Sequence, residues 1–130
     1  MKKTIYIPIL NNAVFVRIGG KTSDFLKEFK KFAKDDDIDG AKEIENGEEM
    51  AGWTGLARKK GVVGIWLEKN NKSVFVHEAV HGATFLLKWA GIKADIENDE
   101  MIAYLSEYIY ERFYNKFISG KSGKNFPTNL

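Results

Sequence analysis

Apolar and polar residues follow a strand-like pattern in two parts of the chain. Residues 4–9 and 13–18 are rich in Ile, Val, Tyr and Phe and are separated by a short LNN turn, which predicts two connected strands. Residues 53–58 and 61–67 carry the same kind of pattern on either side of two lysines, which predicts a hairpin. Four strands in two connected pairs are therefore expected.

Three other stretches place apolar residues at helical spacing. They predict helices over about residues 23–34, 74–90 and 98–118. Ser73 is a suitable amino-terminal cap for the second helix, and Gly91 is a usual carboxyl-terminal stop. With the four strands, these helices predict an α+β fold. A small, mostly antiparallel sheet would pack on the second and third helices, and the first helix would cover the sheet.

Two segments are poor in apolar residues. Residues 35–49 are acidic and predict a loop with at most one helical turn. Their aspartates do not follow the spacing of an EF-hand calcium loop, so a solvated loop is expected. The Gly/Ser/Lys-rich end of the chain predicts a frayed tail over residues 119–130, following one domain over residues 1–118.

Composition narrows the classes of function. The 130-residue chain has a net charge of +2, which gives no argument for nucleic acid or a membrane as partner. It has no cysteine, so neither a disulfide nor a thiolate ligand is available. We expect a cytoplasmic protein, since the apolar run near the amino terminus is too short for a signal sequence.

The chemistry of the chain concentrates in one short motif. Both histidines, His77 and His81, lie four residues apart in the second predicted helix, and Glu78 follows the first. Residues at that spacing share a helix face, so both imidazoles can bind one zinc ion. Glu78 would then lie beside the metal as a general base. Two structural histidines on an ordinary helix are the alternative.

A catalytic zinc site also needs a third protein ligand. A histidine six residues after His81 would supply one, but that position is Leu87. Carboxylates remain, and Glu100 is favoured because it lies in the first turn of the third predicted helix. The other nearby carboxylates stay open as ligands: Asp95, Glu97 and Asp99. A carboxylate also suits any helix amino terminus, which is the structural alternative for Glu100.

The motif "HEAVH", followed by eighteen residues and Glu100, resembles the gluzincin zinc metallopeptidases. Residues 73–117, including "NDEMIAY", also resemble small phage- or prophage-encoded metallopeptidases. The resemblance covers roughly the carboxyl-terminal half of the chain. It implies Zn²⁺ bound by His77, His81 and Glu100, with Glu78 as the base.

The resemblance carries further expectations. It implies a minimal zincin-like core in which strand 61–67, an edge strand, pairs with a peptide or protein substrate. The glycines of that strand would let a peptide backbone come close. Tyr104, one turn after Glu100, is the best candidate to stabilise the oxyanion. A zinc-dependent metallopeptidase is the expected function. A degenerate zincin-like domain that binds a partner without cleaving it, and a structural domain without metal, are the alternatives.

Overall fold

The fold combines a five-stranded mixed sheet with four α-helices, so the α+β prediction is confirmed. The computed structural model describes residues 2–7, 10–46, 49–93 and 95–113. The predicted tail over residues 119–130 and the predicted end of the last helix lie outside the described residues.

The described strands are β1 Lys2–Ile7, β2 Asn12–Ile18, β3 Ile38–Asp39, β4 Gly52–Ala57 and β5 Val62–Leu67. They lie in the order β1-β2-β5-β4-β3. Neighbouring strands are antiparallel except for β2 and β5, which are parallel. The pattern of apolar residues predicted four of these strands, whereas β3 is too short to leave such a pattern.

Strand β5 lies at the centre of the sheet. Its residues pair with Ala13 to Ile18 of β2 on one side and with Gly52 to Ala57 of β4 on the other. Both of its backbone edges are therefore hydrogen-bonded within the sheet. The expectation that strand 61–67 is an edge strand able to pair with a substrate is wrong for this reason.

The described helices are α1 Thr22–Phe32, α2 Ala41–Glu45, α3 Lys72–Trp89 and α4 Asp99–Phe113. The cap of α3 is Asn71, whose side chain accepts a hydrogen bond from the amide of Val74, and not Ser73 as predicted. The helix ends as predicted, because Gly91 adopts a positive φ of 83° that suits glycine. Thus α3 covers the whole histidine motif.

The two faces of the sheet pack against different helices. Along β5, Val63, Ile65 and Leu67 join the apolar cluster that contains residues of α3 and α4. Val62 and Trp66 join the cluster on the opposite face, which contains residues of α1 and α2. This alternation is the period-two pattern of a strand covered on both faces. Through the first of these clusters, α3 packs directly on β4 and β5, and the helix that carries the histidine motif therefore contacts the sheet.

Candidate functional site

Helix α3 brings the two histidines together on its exposed side. Its buried row, which includes Phe75, Ala79 and Leu86, packs into the core, and both histidines remain exposed. The two rings lie edge to face with centroids 4.7 Å apart. The Nε2 atoms of His77 and His81 are 3.1 Å apart. The prediction that the two imidazoles share one helix face is therefore confirmed.

The spacing of these two nitrogens fits a shared metal ion. Zinc–nitrogen bonds of 2.0–2.1 Å in a tetrahedral shell separate two ligand nitrogens by about 3.3 Å. The observed 3.1 Å is close to that separation. Two neutral imidazoles at this distance can also form a hydrogen bond in which one ring donates and the other accepts. The pair thus has the spacing of two zinc-binding nitrogens, and the same spacing suits a hydrogen bond between the two rings.

Glu78 points the other way, towards the sheet. It is only 7% exposed. The hydroxyl of Thr54 in β4 donates a hydrogen bond to Oε1 of Glu78 at 2.6 Å. Gly52 of the same strand lies against Glu78, because a Cβ atom there would be 3.0 Å from both Cγ and Oε2. The carboxylate is therefore enclosed by one helix and one strand.

Glu78 and His81 line a common cavity of about 490 Å³. The cavity lies where α3 meets β4 and the segment before it. Its apolar lining includes Met50 and Phe85, so a side chain of a bound molecule would meet both carbon surface and a carboxylate. The complete lining is Glu43, Met50, Gly52, Trp53, Thr54, Glu78, His81 and Phe85.

The outer edge of β4 is only partly covered beside this cavity. Strand β3 pairs with Leu56 and Ala57 alone. In the part of the chain that the structure describes, no strand pairs with the outer edge of residues 52–55. The strand edge near α3 that has no paired strand therefore belongs to β4, not to β5.

Glu100 is not brought to the histidines. Helix α4 packs on the row of α3 that contains Phe75 and Gly82. The Phe75 ring contacts the ring of Phe113. A Cβ atom built at Gly82 would lie 3.8 Å from Ile109 Cδ1. His81 is about 100° from Gly82 around the helix axis and opens towards β4 instead.

Exposure does not distinguish the predicted carboxylate ligands, because the two histidines are exposed as well. Glu100 is exposed, as are Glu97 and Asp99. Over residues 2–7, 10–46, 49–93 and 95–113, no three His, Cys, Asp or Glu side chains are arranged to hold a metal ion. A carboxylate as the third ligand stays a prediction.

Tyr104 is 70% exposed on α4. The buried face of that helix is formed by Ser106, Ile109 and Phe113. The assignment of Tyr104 to oxyanion stabilisation stays a prediction that the arrangement of α3 and α4 does not support.

Two residues at this site were missed in the sequence. Thr54 gave no signal, because a threonine in a strand is an ordinary β-former. Gly52 did give one, since a glycine inside a strand indicates close approach of another group. The approaching groups are side chains of the protein itself: Glu78 and Val74 at Gly52, and Phe29 at Gly64.

Comparisons of the chain with family models, with curated proteins and with solved structures found no match. Among the described helices, none is both long enough and apolar enough to cross a bilayer.

Proposed function

We propose that this protein is a zinc-dependent metallopeptidase with a zincin-like core. The observation that carries the proposal is the pair of Nε2 atoms of His77 and His81, 3.1 Å apart, on a helix whose Glu78 lines the same cavity as His81. Two imidazoles and an adjacent carboxylate on one helix are the donor set that a hydrolytic zinc site uses.

Each residue of the motif has a separate role in this proposal. His77 and His81 would hold zinc, which would supply Lewis acidity and activate a water molecule for attack. Glu78 accepts the proton of the attacking water and passes it to the leaving amine. Glu100 remains the proposed third ligand, with Glu97 and Asp99 as alternatives.

The substrate would be an extended peptide or an unfolded segment of a protein. The open outer edge of β4 at residues 52–55 offers backbone hydrogen bonds to such a chain. The adjoining cavity, which contains Glu78 and His81, would take a side chain near the scissile bond. This edge replaces strand 61–67 as the proposed site of pairing.

A second candidate is a zincin-like domain that binds a peptide or protein without cleaving it. This candidate is favoured because, among the described residues, no third His, Cys, Asp or Glu side chain joins the histidine pair in a group that could hold a metal ion. It predicts that Glu78→Gln binds the partner as well as the wild type does, and that neither protein cleaves it.

The decisive experiment measures zinc content and proteome-wide cleavage for the wild type and three variants. Glu78→Gln should retain zinc and lose cleavage, because the amide cannot take a proton. His81→Ala should lose zinc and cleavage together. Glu107→Gln, an exposed carboxylate on α4, is the matched control and should behave as the wild type. A wild-type protein that neither binds zinc nor cleaves would refute the proposal.

A further inference from the structure

The side chain of Thr54 in β4 reaches across the interface with α3 to Glu78. Thr54 Oγ1 lies 2.6 Å from Glu78 Oε1 and 3.2 Å from the main-chain oxygen of Glu78. A hydroxyl has one hydrogen to donate, and the shorter distance belongs to the carboxylate. The hydrogen bond therefore fixes the end of a side chain that would otherwise rotate about three bonds.

The two carboxylate oxygens of Glu78 have different surroundings. Oε1 accepts the Thr54 hydroxyl. Oε2 lies beside Gly52, at 3.0 Å from the position of a Cβ atom. Among the described residues, Thr54 is the side chain that donates a hydrogen bond to this carboxylate, and that bond goes to Oε1. Oε2 is thus left as the oxygen that can take a proton.

We propose that Thr54 is a positioning residue that holds Oε1 of Glu78 and leaves Oε2 for proton transfer. The role in catalysis rests on the proposed peptidase function, whereas the contact itself does not. Thr54 acts through Glu78 and is not a ligand or a base. A carboxylate held in one rotamer is preorganised, so the hydrogen bond should raise the rate of the chemical step more than substrate affinity.

The first test separates kcat from KM. The substrate is a quenched-fluorescent peptide taken from a sequence that the wild type cleaves. Thr54→Val removes the hydroxyl and keeps the shape, and we expect about a tenfold fall in kcat with KM almost unchanged. Thr54→Ser should restore most of the loss, because it restores the donor.

A matched control is available on α3. Thr84 Oγ1 donates to the main-chain oxygen of Val80 at 2.9 Å, so Thr84→Val also removes one threonine hydrogen bond. It should leave kcat unchanged. Equal kcat for the wild type and Thr54→Val, or an equal loss in Thr84→Val, would overturn the proposal.

The second test needs no activity. In zinc-free protein, a double-mutant cycle with Thr54→Val and Glu78→Leu, measured by urea unfolding, isolates the contact. We expect the two changes to be coupled by about tenfold in the folding equilibrium constant. Glu78→Leu is chosen because glutamine would keep an acceptor for the hydroxyl. Thr84→Val with Glu78→Leu should show no coupling.

The two tests separate failure of the contact from failure of the function. A wild type without cleavage but with coupling would refute the peptidase function and support the Thr54 contact. A coupling of less than about twofold between Thr54→Val and Glu78→Leu would overturn the positioning role of Thr54, whatever the activity. Coupling together with a fall in kcat supports both.

Discussion

At the scale of single residues, the site depends on how closely β4 approaches α3. Gly52 makes that approach possible, because a Cβ atom there would lie 2.8 Å from Val74 Cγ1 and 3.0 Å from Glu78 Oε2. The first contact is with a β-branched side chain on the same helix, which has little freedom to move. The position of the Glu78 carboxylate therefore depends on the absence of a Cβ atom at Gly52 as well as on the Thr54 hydroxyl.

Gly52→Ala should lower both stability and cleavage. Overpacking at this interface should cost about 1–3 kcal/mol of the free energy of unfolding. It should also displace the Glu78 carboxylate. Urea unfolding and a peptide cleavage assay measure the two effects.

Gly64→Ala is the matched control for that change. Its Cβ would lie 2.6 Å from the Phe29 ring, on the opposite face of the sheet. It should lower stability by a similar amount and leave kcat of the folded protein unchanged. A Gly52→Ala variant that loses no more activity than Gly64→Ala would contradict the role of Gly52 at the site.

At the scale of elements, the position of each strand in the sheet decides which backbone can bind a partner. β5 has neighbours on both edges, whereas β4 is covered by β3 only at Leu56 and Ala57. An exposed strand edge carries unpaired amide and carbonyl groups that a second chain can use. In the described part of the chain, no strand pairs with the outer edge of residues 52–55, where Gly40 lies against the main-chain oxygen of Thr54.

Hydrogen exchange can locate substrate pairing. In Glu78→Gln, which keeps a bound peptide intact, we expect added protection of backbone amides within residues 52–55. Amides of residues 62–67 are already hydrogen-bonded to β2 or to β4 and should exchange slowly with or without peptide. Protection gained at the outer edge of β1 alone would contradict pairing at β4.

At the scale of the whole molecule, one buried aspartate ties the acidic segment to the hairpin. Asp36 Oδ2 accepts the amides of Lys59 and Lys60, and Oδ1 accepts the amide of Asp37. Burial by itself acts to raise the pKa of Asp36. The three amide hydrogen bonds and the charge of Lys59 outweigh burial, so the pKa lies below its ordinary value.

The lowered pKa of Asp36 predicts acid sensitivity of the fold. Its contribution to stability is fully present above the ordinary aspartate pKa of about 4, and it is lost as pH falls through the lower folded value. Asp36→Asn should reduce the urea midpoint at pH 7, and its difference from the wild type should shrink below about pH 4.

The control for this prediction is Asp24→Asn, an exposed carboxylate in the first turn of α1. Its difference from the wild type should be small at pH 7. An Asp36→Asn difference that stays constant from pH 7 to pH 3 would show that ionisation of Asp36 does not stabilise the fold.

Local features of this protein follow from its amino-acid sequence alone. The four-residue spacing of His77 and His81 places both rings on one helix face whatever surrounds the helix, because that follows from helix geometry. The β4–β5 hairpin and the stop at Gly91 also follow from neighbouring residues. β3 was missed because its two residues are too few to show a period.

Which residues face the histidine motif depends instead on contacts between distant parts of the chain. Pairing of β2 with β5, which places β5 in the centre, joins segments far apart in the chain and has no local signal. The same holds for Thr54 and Glu78, which are 24 positions apart. The row of α3 that receives α4 is chosen by the packing of Phe75 and Gly82, and it leaves Glu100 away from the histidine pair. Helix periodicity sets which side chains share a face, but burial of apolar surface selects the neighbour of that face.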